Sequence, residues 1–118
     1  MAKAQGFSRD ERVLHRAEFD RAFQQGSRRR GRYLTVHCVP NALEQARLGI
    51  ALARGWSGAV ARNRAKRLVR EAFRTHKHDL PTSVDIVVVP RTNWTEPSVD
   101  AIAAELVRLV GDLAEGRR

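Results

Sequence analysis

The sequence predicts an α+β domain in which helices pack on one side of a small sheet. Three observations carry that prediction. The 118 residues leave room for one modest core and not for two. Two segments alternate apolar and polar with period two, and a third is a short continuous apolar run. Stretches with helical spacing stand before, between and after them. The expected order is helix, two or three strands, helix, strand, helix.

The first helix is RAEFDRAFQQ at 16–25, which places Phe19, Ala22 and Phe23 on one side, and Gly26 is a natural stop. SRRRGR at 27–32 is a basic loop or a poor strand. In YLTVHCVP, Leu34, Val36 and Cys38 form one face, and Tyr33, Thr35 and His37 form the other. Pro40-Asn41 and the polar residues after it read as a turn. RLGIALAR puts Leu48, Ile50 and Leu52 on one face, with only Gly49, Ala51 and Ala53 opposite. If these strands pair, one side of the sheet is core and the other is a shallow floor.

A long helix is predicted from Ser57, a good N-cap residue, to about Lys77. VDIVVVP at 84–90 is apolar on both faces apart from Asp85, as a central strand should be. Pro97 suits the first turn of a last helix, whose buried stripe is Val99, Ile102, Ala103, Leu106, Val110 and Leu113, and Gly116 ends it. Residues 1–8 and 115–118 are expected to fray as tails of a single domain covering 1–118.

Charge is the unusual quantity: the chain carries +9 formally. Residues 1–78 hold 18 Lys and Arg against 6 Asp and Glu, whereas residues 79–118 hold 4 against 7. Such asymmetry points to one strongly basic face and a polyanionic partner, nucleic acid ahead of anionic membrane. Nineteen of the 22 basic residues are Arg, whose planar fork makes two-point hydrogen bonds to phosphate and stacks on bases. High-GC coding is a competing source of that bias. The lone Cys38 excludes an internal disulfide and suits a reducing cytoplasm. No segment approaches the ~20 apolar residues of a membrane span, and MAKAQGFSRDER lacks the apolar run of a signal peptide.

The segment AVARNRAKRLVREAFR at 59–74 concentrates the charge. At about 100° per residue, Ala61, Ala65, Leu68, Val69, Ala72 and Phe73 fall on one stripe and are committed to the core. Lys66, Arg67, Arg70 and Arg74 gather on the opposite side with Asn63, Lys77 extends the row, and Arg62 and Arg64 flank it. A solvated face is the ordinary explanation of a charge run, but such a face usually mixes signs. Lys66, Arg70 and Arg74 instead repel at i,i+4 spacing by a few tenths of a kcal/mol per pair. Asn63, amid that charge, donates and accepts at a base edge or sugar hydroxyl, which an Arg cannot do.

This stretch also carries a family resemblance. RLGIALARGWSGAVARNRAKRLVREAFR at 47–74 closely resembles the signature region of the bacterial ribonuclease P protein subunit, through RLGI, GAV, the triplet Arg62-Asn63-Arg64, KRL and REAFR. EFDRAFQQG at 18–26 is similar to the family's first helix and DIVVVPR at 85–91 to its last strand, so the resemblance covers about residues 9–115. It implies an αβββαβα fold with a left-handed βαβ crossover, which ordinary handedness rules argue against. It also implies a protein that assists a catalytic RNA in removing the 5′ leader of precursor tRNA. The motif helix would face ribonuclease P RNA, and a cleft between the first helix and the open sheet face would hold the leader.

Position by position, Arg54, Arg62, Asn63, Arg64, Lys66, Arg67, Arg70 and Arg74 are then expected at the catalytic RNA. Arg12, Phe19, Phe23, Tyr33, His37, Gly49 and Ala51 are expected at the leader of precursor tRNA. Gly49 and Ala51 leave room for nucleotides, and His37 and Tyr33 offer stacking surfaces. Phe19 and Phe23 also fit a core, and Tyr33 a cap on the sheet edge. The family usually continues with a second basic residue after the position of Arg54; here Gly55 and Trp56 follow, which puts one phosphate contact in doubt and leaves Trp56 to pack or stack.

No residue is expected to be catalytic. The dense acidic group Asp10, Glu11, Glu18 and Asp20 reads as helix-start charge, and His76 and His78 lie on different sides of a helix end. No metal ligand set is assigned to the protein. Mg2+ is expected through the RNA subunit, in a cytoplasmic complex with one protein per RNA and no membrane. The rival readings are an RNA-associated structural protein that uses the same basic helix, and a protein-only nuclease, which lacks the acidic cluster it would need.

Overall fold

The computed structural model describes residues 11–13, 15–92, 94–95 and 97–115. In chain order they form helix α1 (Arg16–Gln25), strands β1 (Ser27–Arg30), β2 (Leu34–Pro40) and β3 (Arg47–Ile50), and helix α2 (Gly58–His76). Strand β4 (Val84–Pro90) and helix α3 (Val99–Ala114) complete the chain. This is the expected αβββαβα order, with the basic SRRR resolved as a strand. The tails expected at 1–8 and beyond Glu115, together with Asp10 and Gly116, lie outside the described residues.

The sheet order is β1-β2-β4-β3. β2 pairs antiparallel with both β1 and β4, whereas β3 runs parallel to β4, so α2 is the crossover between two neighbouring parallel strands. β4 is central, and for that reason its apolar residues face cores on both sides. On one side Leu34, Val36, Leu48, Ile86 and Val88 meet Val69 and Phe73 of α2 and Ile102, Leu106 and Leu109 of α3. Phe73 is completely buried; its truncation to Ala is expected to cost about 3–5 kcal/mol.

Helices were expected on one side only. α2 and α3 obey that; α1 does not. Its Ala22, with Phe19 alongside, packs on Val39 and Val87 of the opposite face, joined by Ala51. Ten residues roof only part of a four-stranded surface, and the remainder stays open.

Three local expectations also shift. Ser57 takes the N-cap position of α2 but makes no capping hydrogen bond from its side chain. The turn into the helix rests instead on Gly58 at φ +81°, a conformation that L side chains rarely adopt. Pro97 stands just outside α3 rather than in its first turn; Ser98 is the cap, its hydroxyl accepting from the Ala101 N–H at 3.1 Å. Tyr33 precedes β2 and packs at the margin of the α2/α3 core instead of joining Thr35 and His37. Its main chain is held on both sides. The N–H donates to Glu105, and the carbonyl accepts from the Arg91 N–H and the Trp94 indole.

Two buried carboxylates fix the frame. Asp85, 1% exposed, accepts from Arg47 Nε at 2.8 Å and Nη2 at 2.7 Å and from Asn41 Nδ2 at 2.8 Å. Burial pushes its pKa up, but the hydrogen bonds from Arg47 and Asn41 outweigh that and hold it below the usual carboxylate range. Arg47 also reaches Glu18 of α1 at 3.0 Å, so one guanidinium ties α1, β3 and β4 together. Glu105 of α3 accepts from the backbone N–H groups of Arg32, Tyr33 and Leu34 at 2.7–2.8 Å. That carboxylate clamps the β1–β2 turn to α3.

Candidate nucleic-acid interface

α2 sorts its residues as helical geometry dictates. Ala65, Val69, Ala72 and Phe73 are buried, and Ala61 and Leu68 are half-buried beside them. Asn63, Arg64, Arg67 and Arg70 are exposed, and Arg62 and Lys66 are partly so. Among the described residues, no ion pair engages Arg62, Lys66, Arg67 or Arg70. The row is shorter than the sequence suggested. Arg74 is paired with Glu71 one turn back, and Lys77 forms a 2.6 Å bridge to Glu11 with both side chains largely covered. The Arg74 pair lowers the pKa of Glu71 through the hydrogen bond it donates.

The junction of α2 with the sheet is a second basic feature. Arg12, which bridges to Leu48 at the margin of β3, shares a recess with Lys66 and Arg70 of α2 and Phe19 of α1. The motif-helix cations and the α1 side of the sheet therefore meet at one concavity. Arg54 is exposed in the segment between β3 and α2.

Of the aromatic candidates, Phe23 is 40% exposed and stands edge-on to His37, with ring centroids 4.9 Å apart and planes at 89°. It belongs to the α1-side surface rather than to the core. His37 itself is half-buried, its Nδ1 enclosed without a hydrogen-bond partner. Burial, then the nearby charge of Arg28, lowers its pKa, which favours the neutral ring. Tyr33 is not part of this surface, for the reason given above.

Gly49 needs a correction as well. Its missing side chain does not leave an open floor: a Cβ there would meet the Phe19 ring and the Val13 Cβ at 2.9 Å. Gly49 permits α1 to sit down on the sheet, and only Ala51 of the two small residues remains partly accessible.

Gly55 and Trp56 have a structural explanation. Gly55 lies at φ +109°, so a basic side chain would be strained in this backbone. Trp56 packs edge-to-face on Trp94, with centroids 5.3 Å apart. Of the two roles open to it, packing is the one adopted. Elsewhere, the half-buried Cys38 packs against the α2/α3 core, and desolvation pushes its thiol up to about 12.

Among the described residues no group of three or more His, Cys, Asp or Glu side chains could hold a metal ion, and no helix is long and apolar enough to cross a membrane. The arrangement presents charge and surface: a helical row of guanidinium groups, a basic recess, and a part-roofed sheet with a half-buried imidazole. A family model described as Ribonuclease P matches residues 7–114, nearly the whole chain. The chain belongs to the ribonuclease P protein family. It is 37% identical over 107 residues to the ribonuclease P protein component of Desulfovibrio desulfuricans, covering 87% of this chain and 82% of that one. To the Thermotoga maritima component it is 39% identical over 92 residues, covering 78% and 79%.

Solved ribonuclease P proteins share the fold. The Thermotoga maritima structure superposes with a TM-score of 0.77 at 33% identity, covering 85% of this chain and 94% of that one. A Staphylococcus aureus structure gives 0.75 at 29% identity, covering 89% and 95%.

Sequence reasoning missed both carboxylates that position these surfaces. Asp85 was visible as the one acid in an apolar central strand, a placement that demands a cation from a neighbouring strand. Glu105 stands three residues after Ile102 and four before Leu109, on the buried side of α3, where an acid requires donors.

Proposed function

We propose that this chain is the protein subunit of a ribonuclease P that trims the 5′ leader from precursor tRNA. In this reading α2 binds the catalytic RNA and the α1-side surface binds the leader. The observation that carries it is the side of α2 turned away from Ala65, Leu68 and Ala72, where Lys66, Arg67 and Arg70 stand together, flanked by Arg62, without ion pairs among the described residues. An unpartnered helix gains nothing from clustered like charge, whereas a phosphate backbone releases counterions to it. Family membership supplies the particular polyanion.

The protein's part is positioning. Arg64 and Asn63 extend the row at its first turns, and Arg54 leads into it. The recess of Arg12, Lys66 and Arg70 lies where the two RNAs would meet. Phe23, His37 and Ala51 offer the leader an edge, an imidazole face and a low floor, while Phe19 forms the wall beside them. Bond breaking and its Mg2+ ions are assigned to the RNA subunit, and one protein serves one RNA. Holding a substrate in register raises the rate without any protein group touching the scissile bond.

Reconstitution tests this. The full chain added to a bacterial ribonuclease P RNA and precursor tRNA at low magnesium should speed leader removal, and the chain alone should cleave nothing. No acceleration would sink the assignment. Cleavage by protein alone would move the chemistry onto side chains.

A further inference from the structure

The open part of the sheet continues past the helix that roofs it, and its far edge is basic. Directly paired residues project from the same face of a sheet. The register therefore sets Arg28 beside His37 and Arg30 beside Thr35, with His37 next to Val87 and Thr35 next to Val89. Two of the rows on this face reach β1. Arg28, His37, Val87 and Gly49 lie in the row that α1 covers: Phe19 stands over Gly49, Ala22 packs with Val87, and Phe23 meets His37. The second row, Arg30, Thr35 and Val89, contributes nothing to the core under α1, and Thr35 and Val89 remain partly exposed. Ala51, whose N–H continues the ladder to the Val88 carbonyl at 3.0 Å, extends that row at the β3 end, where it packs at the margin of the core under α1.

Both rows end on β1 in an exposed arginine. Neither Arg28 nor Arg30 has an ion pair among the described residues. Arg29 between them points to the other face, 3.5 Å from Asp112 of α3. The strand thus neutralises the arginine on its helix-packed side and leaves the two on the open side uncompensated. The charge of Arg28 is felt at His37, where it adds to burial in disfavouring the imidazolium.

We propose that Arg28 and Arg30 form a phosphate track on the β1 edge, over which single-stranded RNA held on the open face leaves the protein. This rests on the leader reading above and gives the leader a direction: across the strands, from Ala51 past Val89 and Thr35 to β1. Three strand spacings separate the ends, about 14 Å, so the arginines meet nucleotides further along the leader than those over Ala51. Guanidinium forks suit phosphate oxygens, and Thr35 supplies a hydroxyl for sugar or base along the way.

The test is a series of precursor tRNAs with leaders lengthened one nucleotide at a time, bound by holoenzyme reconstituted from the full chain and a bacterial ribonuclease P RNA. Affinity should rise with leader length, and Arg28→Ala/Arg30→Ala should lose the last part of that rise. The expected loss is on the order of tenfold for the longest leaders, with a salt slope shallower by about 1.4 for two single-strand phosphate contacts. Arg29→Ala removes the same charge from the other face and should keep the full rise. If the double variant also keeps it, the track is wrong while the leader reading stands. If neither protein responds to leader length although both bind the catalytic RNA, the leader reading falls and takes the track with it. An edge strand is also kept from pairing by charge; a double variant that self-associates, with leader binding unchanged, would assign the arginines to that role and overturn the track.

Discussion

Arg67→Ala/Arg70→Ala probes the α2 row where both side chains are exposed and outside the core. Folding stability should stay within about 0.5 kcal/mol, since no buried contact is lost and a like-charge repulsion is relieved. Binding to the catalytic RNA should change a great deal. Each phosphate contact contributes about 0.7 to 0.9 to the slope of log affinity against log salt. Arg62, Lys66, Arg67 and Arg70 together then account for a slope of about 3, or roughly a 50- to 150-fold loss of affinity between 50 and 200 mM salt. Removing two of the four should make the slope shallower by about 1.4 to 1.8. Arg74→Ala is the internal comparison: its guanidinium already has Glu71 as counterion, so its effect on the slope should be smaller than that of either neighbour. The assay is filter binding or fluorescence titration of the RNA across a salt series. A double variant with the parental slope would refute the counterion argument, and with it the claim that this face meets RNA.

Glu105→Gln should cost about 2–3 kcal/mol in chemical denaturation, because an amide replaces a charged acceptor of three backbone N–H groups with a group that also donates; a change below about 0.5 kcal/mol would mean that the β1–β2 turn does not depend on it. His37 should titrate below the ordinary histidine value of 6.5 by NMR, and Arg28→Ala should raise the midpoint without restoring it, since burial is the larger cause. A folded pKa below the unfolded one means that the stability His37 contributes is present above pH 6.5 and is lost as pH falls through the folded midpoint. A midpoint at or above 6.5 in the parent would contradict the desolvated, neutral ring.

What could be read in the sequence was periodic. The 100° repeat of α2 and the two-sided apolar run of β4 follow from local geometry, so their buried and exposed faces came out as expected. The failures were tertiary. The period of β2 places Tyr33 on the face of His37, but the strand starts one residue later because Glu105, 72 positions away, holds the Tyr33 N–H. Gly49 reads as empty floor until a helix from 30 residues earlier lays Phe19 on it. Lys77 and Arg74 follow the basic row by spacing alone, and nothing local reveals that Glu11 and Glu71 have claimed them. Arg28 and Arg30 went unnamed for a related reason: without the β1–β2 register, SRRR has no faces.

The same pairings explain how a chain of net charge +9 folds into a particular basic shape. Its acids are used where cations must approach the core or brace it. Asp85 and Glu18 hold Arg47, Glu11 holds Lys77, and Asp112 holds Arg29. Most of these acids sit under or beside the sheet, so the neutralised cations are interior or lateral ones. The acidic surplus of residues 79–118 is consumed there too, through Asp85, Glu105 and Asp112. Arg67 and Arg70 of α2 and Arg28 and Arg30 on the open side of β1 are among the exposed arginines left without an ion pair among the described residues. They stand at opposite edges of the molecule's sheet, because α2 follows β3 and the strand order puts β1 farthest from it. A single strand that engaged both would have a path over the part of the sheet that α1 leaves uncovered.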